Sequence, residues 1–190
     1  MPGRTWVIAP DAESLVRRWK TLQAAKPEDK EGLFHPHLRG GKLGDKHVGK
    51  IVERPVAGMA PRLVSVANDN GAPLPPVRYG YRSFDRQWIL PDSRLINQAN
   101  PTLWQWRSDQ QISLTAFTEV SPSGGPSLTF SAYIPDLHHY KGSFGGRVFP
   151  LWSDAQGEAS NLQASVLVRL QDELAQPVTA EDLFAYIAAI

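Results

Sequence analysis

Ile112-Ser113-Leu114-Thr115-Ala116-Phe117-Thr118-Glu119-Val120, followed by Leu128-Thr129-Phe130-Ser131-Ala132-Tyr133-Ile134, is the stretch that decides the fold. Apolar and polar residues alternate with period two, the spacing of a strand whose two faces meet different surroundings. On this pattern Ile112, Leu114 and Ala116 face a core, and Ser113 and Thr115 face away from it. Ser121-Pro122-Ser123-Gly124-Gly125-Pro126 joins the two runs, which therefore read as an antiparallel hairpin with a loose loop. Arg147-Val148-Phe149-Pro150-Leu151-Trp152 reads as a third short strand. Pro150 has no N–H to give to a ladder, which assigns this strand to an edge.

Outward from this region, Val77 to Leu90 is also β-like and rich in aromatics: Tyr79, Tyr81, Phe84 and Trp88. Toward the C-terminus the period changes to that of a helix. Leu162, Val166, Leu170 and Leu174 form an i, i+4 stripe, and Thr179-Ala180-Glu181-Asp182 is a capping signal for a last helix. The chain stops inside that helix without a terminating glycine, which reads as a truncated end. At the N-terminal side, Trp6-Val7-Ile8-Ala9 is a short strand. Asp11 then caps a helix with Leu15, Trp19 and Leu22 on one face, and Pro27 opens a second, shorter helix. Phe34 to Gly49 is a long basic, His- and Gly-rich loop, and Asn68 to Pro76 reads as a linker. The resulting expectation is an α+β fold with a helical N-terminal arm, a mixed and mostly antiparallel sheet, and C-terminal helices. Residues 1–70 would be a connecting arm, and residues 77–190 an α+β domain.

The chain has 190 residues, 42% of them apolar and 21% charged, as in an ordinary globular protein. A chain of this size can bury roughly 70% of its unfolded surface, enough for a core without staples. The absence of cysteine excludes disulfides, thiolate nucleophiles and iron–sulfur clusters, and a reducing cytoplasm is the compartment it suits best. No run of apolar residues is long enough for a membrane span, so no membrane partner is expected. The net charge of +1 conceals a division: residues 1–152 hold 19 Lys/Arg against 13 Asp/Glu, and residues 153–190 hold one against six. A basic body points to a polyanionic partner, while an ordinary solvated surface would account for the same charges.

Motifs for kinases, P-loop enzymes, hydrolases and dinucleotide binding are missing, and Gly142-Ser143-Phe144-Gly145-Gly146 reads as a turn rather than a phosphate loop. His35, His37 and His47, or Asp136, His138 and His139, could in principle converge on a metal. Their spacing is loose and no thiolate assists, so no tightly held metal is expected. The densest segment is Tyr79-Gly80-Tyr81-Arg82-Ser83-Phe84-Asp85-Arg86-Gln87-Trp88. Arginine forks suit phosphates and guanine edges, but Arg82 or Arg86 could equally lock a turn by pairing with Asp85 while the aromatics enter the core. The latter reading makes Arg82, Phe84, Asp85 and Trp88 a structural motif.

Arg82-Ser83-Phe84-Asp85-Arg86-Gln87-Trp88 resembles the Y-R-P-F-D-x-R-W signature of the C-terminal specificity region of type ISP restriction–modification enzymes and related adenine-specific DNA methyltransferases. Ser83 stands where that signature has proline, and the second arginine comes one place early. The similarity continues in order through Leu90-Pro91-Asp92-Ser93-Arg94-Leu95-Ile96, Asp136-Leu137-His138-His139-Tyr140-Lys141-Gly142-Ser143, Val148-Phe149-Pro150-Leu151-Trp152 and the helix at Glu181–Ile187. The resemblance implies a target-recognition module for double-stranded DNA. The methyltransferase domain of the parent polypeptide would lie upstream, and S-adenosylmethionine would belong to that domain. This chain lacks the (N/D)-P-P-(Y/F) loop, so no cofactor and no catalytic residue is expected in it, and alone it should not be an enzyme. Phosphate contacts are expected from Arg39, Lys42, Lys46, Lys50, Lys141 and Arg147. Base reading is expected from loop positions such as Gln110, Gln111, Ser121 and Ser123. The alternatives are a structural coupling or protein-interaction domain of the same enzyme, using the acidic C-terminal helices, and a small metal-dependent hydrolase.

Overall fold

A computed structural model describes residues 6–34, 49, 51–96, 100–117, 127–136, 138–140 and 146–190. The fold is α+β, with five helices and two small three-stranded sheets among these residues. The strands expected in one sheet are thus shared between two. The chain forms two compact units: Met1–Tyr79 with Arg86–Trp104, and Gly80–Asp85 with Gln105–Ile190.

In the first unit, β1 (Ile8–Ala9) pairs antiparallel with β3 (Asp85–Ile89), Ile8 opposite Ile89. Helix α1 (Ala12–Ala24) starts where Asp11 accepts the Ser14 N–H at 2.7 Å, and it buries Leu15, Trp19 and Leu22 as the spacing predicts. Helix α2 (Pro27–Leu33) has proline in its first turn, where a missing N–H costs nothing. Its Lys30 is buried, and Nζ donates to the Ala67 carbonyl at 2.6 Å. Stretch 68–76, read above as a linker, is fixed to α1: Trp19 Nε1 donates to the Gly71 carbonyl at 3.0 Å, and Gln23 Nε2 to those of Asp69 and Gly71.

The polar centre of this unit is Arg94, which is 1% exposed. Its Nε and Nη2 grip the Asp92 carboxylate, Nη2 reaches Asp69 at 2.9 Å, and Nη1 donates to the Val64 carbonyl at 2.6 Å. Burial by itself would depress the guanidinium pKa. The hydrogen bonds and charges of Asp92 and Asp69 outweigh it and hold Arg94 above its ordinary value.

In the second unit, β4 (Ser113–Ala116) lies between β5 (Leu128–Ser131) and β6 (Arg147–Pro150), both antiparallel to it. The hairpin and the edge position of β6 agree with the sequence, but the faces of β4 do not. Ser113 and Thr115 are the buried pair, and Ile112 is exposed. The reason is that both faces of this sheet are covered. Leu114 and Phe130 pack against Leu151, Ala180 and Phe184, while Thr115 and Thr129 lie beneath Tyr140 and His139.

Helix α3 (Pro101–Gln105) is a single short turn that buries Trp104. Helix α4 (Ala164–Leu174) begins after Leu162, and no residue in it is fully buried. Its packed position is Leu167, whereas Val166 and Leu174 of the expected stripe are exposed. Helix α5 (Ala180–Ala189) carries the predicted capping box, Thr179 and Asp182 each bonding the other's backbone N–H, and it buries Phe184. Two bonds from Thr179 hold the Asp182 carboxyl below the usual range.

Candidate nucleic-acid interface

Strand β2 (Val77–Arg82) runs into β3 through Ser83 and Phe84 alone. Two residues are the shortest common hairpin connection, which places Ser83 and Phe84 at the tip. The part of this hairpin that belongs to the second unit, Gly80–Asp85, is fastened at several points. Gly80 donates its N–H to the Ile134 carbonyl at 3.0 Å and accepts from the Asp136 N–H at 2.8 Å. A Cβ added at Gly80 would come 3.1 Å from Ser131 Oγ and 3.4 Å from the Ile134 carbonyl oxygen, so the close backbone approach favours glycine there. Ser83 donates both its N–H, at 3.0 Å, and its hydroxyl, at 3.3 Å, to the His139 carbonyl.

The Arg82 guanidinium lies 4.2 Å from the centre of the Tyr81 ring, and its Nη1 donates to the Tyr81 carbonyl at 2.7 Å and to Asp136 Oδ1 at 3.2 Å. Asp136 also accepts the His138 N–H at 2.8 Å. Beneath the turn, buried His139 has its Nδ1 3.3 Å from the Gly80 carbonyl and its Nε2 3.0 Å from Thr129 Oγ1. A carbonyl can only accept, so Nδ1 bears the proton and the Thr129 hydroxyl donates to Nε2. Burial lowers the His139 pKa, only partly offset by the Gly80 carbonyl and the Asp136 charge. Tyr140 stacks on Phe117 with ring centres 3.9 Å apart and donates its hydroxyl to the Thr115 carbonyl; burial raises its pKa.

This arrangement corrects three expectations. The partner of Arg82 is Asp136, 54 residues away in sequence, rather than Asp85. Phe84 is not a core residue: it is 86% exposed, because the two-residue turn leaves nothing above it to pack on. Gln111 is not a free loop tip. It is buried, its amide donates to the Trp106 and Trp152 carbonyls, and its Oε1 accepts the Trp152 N–H at 3.0 Å. Both ends of the side chain are thus consumed inside the unit.

Trp88, in the first unit, is half-buried with the Arg78 guanidinium 4.4 Å over its ring, and Asp85 is half-buried. Arg147 is exposed at the start of edge strand β6, and Gln110 is exposed as well. Arg39, Lys42, Lys46, Lys50, Ser121, Ser123 and Lys141 lie outside the described residues, as do His35, His37 and His47. Asp136, His138 and His139 do not converge: Asp136 serves Arg82, and His139 serves Gly80 and Thr129. Among the described residues no three His, Asp or Glu side chains could hold a metal ion.

Sequence reading missed two features, the exposed ring at the turn and the Arg94 cluster. For the first, the available signal was the continuous β pattern on both sides of Ser83-Phe84, which leaves room for only a two-residue turn. For the second it was the close spacing of Asp92 and Arg94.

A family model described as the Type ISP C-terminal specificity domain matches residues 1–190. No curated protein and no solved structure matches the chain.

Proposed function

Because this chain belongs to the type ISP C-terminal specificity domain family, we propose that it reads double-stranded DNA by sequence for a restriction–modification enzyme that methylates adenine. The match over the whole chain, 1–190, is the observation that carries the reading. The basic balance of residues 1–152 and the exposure of Arg147 on an edge strand support it. In this reading Arg39, Lys42, Lys46, Lys50, Lys141 and Arg147 hold phosphates and set the register, and neighbouring loops read base edges. The chain contributes recognition. S-adenosylmethionine, the flipped adenine and the methyl transfer belong to an upstream domain of the parent polypeptide, and the cytoplasm is the compartment.

One observation favours a second reading, in which the chain couples parts of the parent enzyme. The two C-terminal helices expose Val166, Val168, Leu174 and Tyr186, an apolar surface that a neighbouring protein domain could cover.

Duplex binding across a salt series separates the two. The purified 190-residue chain should retain duplexes from a randomised pool and enrich a common sequence. Neutralising two phosphate contacts, Lys42→Gln with Lys46→Gln, should lower the slope of log K against log salt by about 2, on enriched and random duplexes alike. Failure of the wild-type chain to retain any duplex at low salt would overturn DNA reading and leave the coupling role.

A further inference from the structure

The exposed phenyl ring of Phe84 has no counterpart in the phosphate and base-edge contacts proposed above. It stands in a two-residue turn and is 86% exposed. We propose that Phe84 is a wedge that enters the stack of duplex DNA at one base step; this deepens the DNA-reading proposal and rests on it.

Three features fit that role. The first is rigidity. Separating stacked base pairs is costly, so a wedge works only on a backing that does not bend away. The turn has such a backing: Ser83 is tied twice to the His139 carbonyl, Gly80 is tied in both directions to residues 134 and 136, and the buried His139 ring sits under the Gly80 carbonyl.

The second is the neighbouring cation. Arg82 spends Nη1 on the Tyr81 carbonyl and Asp136, its side chain is 32% exposed, and Nε and Nη2 are the donors it offers a phosphate beside an opened step. The third is size. Phe84 is flanked in sequence by Ser83 and Arg82 on one side and Asp85 on the other, so the turn offers one apolar ring with a polar rim. A stable protein partner needs roughly 800 Å² on each side, far more than one ring supplies. A single ring is the right size for one base step.

A wedge of this kind adds specificity without touching a base edge. Pyrimidine–purine steps unstack most readily, so the recognised sequence should contain such a step where Phe84 enters.

The test uses the 190-residue chain and a duplex enriched from a randomised pool, with 2-aminopurine substituted at successive adenines. Wild type should raise the fluorescence at one step. Phe84→Ala should abolish that rise and weaken binding about ten- to hundredfold, the range measured for aromatic–base stacking, with an unchanged salt slope because no phosphate contact is lost. Phe84→Leu, an apolar side chain also used as a wedge, should keep part of both. The exposed ring supports no core, so the melting temperature of either variant should match wild type. Equal binding by Phe84→Ala, or no fluorescence rise with wild type at any position, overturns the wedge while leaving DNA reading intact. Failure of wild type to bind any duplex overturns both.

Discussion

Replacing Arg94 with methionine tests the central polar cluster of the first unit. Methionine keeps most of the unbranched apolar stem, so the change removes charge and hydrogen bonds more than packing. Three groups lose their partner. Asp92 loses a two-point contact at 2.7 to 3.2 Å while its side chain is 4% exposed. Asp69, at 18% exposure, loses a contact of 2.9 Å, and the Val64 carbonyl loses one of 2.6 Å. Removing one member of a buried ion pair costs about 3–5 kcal/mol, mainly because the remaining charge is left without compensation. Arg62 Nε stays 3.7 Å from Asp92 and supplies some compensation, which places the expected loss near the low end, about 3 kcal/mol. For a chain of this length that corresponds to about 6–12 °C in melting temperature.

Urea and thermal denaturation followed by circular dichroism measure the loss. The double variant Arg94→Met with Asp92→Leu should recover part of it, since the most deeply buried charge is then gone as well. Arg94→Lys should fall between, because a point charge cannot hold two carboxylates and a carbonyl in one plane. A melting temperature within about 1 °C of wild type for Arg94→Met would refute the reasoning. So would a double variant less stable than the single one.

Other outcomes follow from the same structure. The buried His139 has a folded pKa below its unfolded value, so its contribution to stability is complete above about pH 6.5 and is lost as pH falls, when the unfolded chain takes up the proton first. Melting temperatures between pH 7.5 and 5 should therefore fall less steeply for His139→Gln than for wild type, and parallel curves would show that His139 does not contribute. Ala175 closes α4 in the left-handed region at φ 50°, which strains any residue with a Cβ, so Ala175→Gly should stabilise by about 0.5–1 kcal/mol in urea denaturation. A lower midpoint for Ala175→Gly would contradict that geometry. Asp136→Ala should cost about 1–2 kcal/mol by removing the acceptor of Arg82 and of the His138 N–H, with partial screening because Arg82 is about a third exposed. An unchanged midpoint would mean that the pair contributes nothing measurable.

Local chemistry explains what was legible before the structure. Asp11 and Thr179 start helices through bonds spanning three residues, and Pro150 marks an edge because it lacks a donor. Such features need only near neighbours. The ordered run of short motifs pointed to the family for the same reason, since each motif can be read without knowing what packs on it.

The sequence by itself determined the α+β class, the starts of α1, α2 and α5, the hairpin of β4 with β5 and the family. Helix α1 buries the stripe its spacing gives, but only the tertiary structure decided which side chains the strands of the second unit bury. Period-two alternation shows that a strand has two faces, but not which of them is dry. In β4 Ser113 and Thr115 are the buried face, because His139 and Tyr140 arrive from residues further along the chain. The same holds for charges: Arg82 had an adjacent aspartate in Asp85 and pairs with Asp136, and Arg94 draws in Asp69 and Val64 from 25 and 30 residues away. A salt bridge or a buried face depends on distance in space, which local sequence carries only when the partners are neighbours in the chain. Phe84 makes the point in reverse: an aromatic residue reads as core until the turn around it is seen to leave it in water.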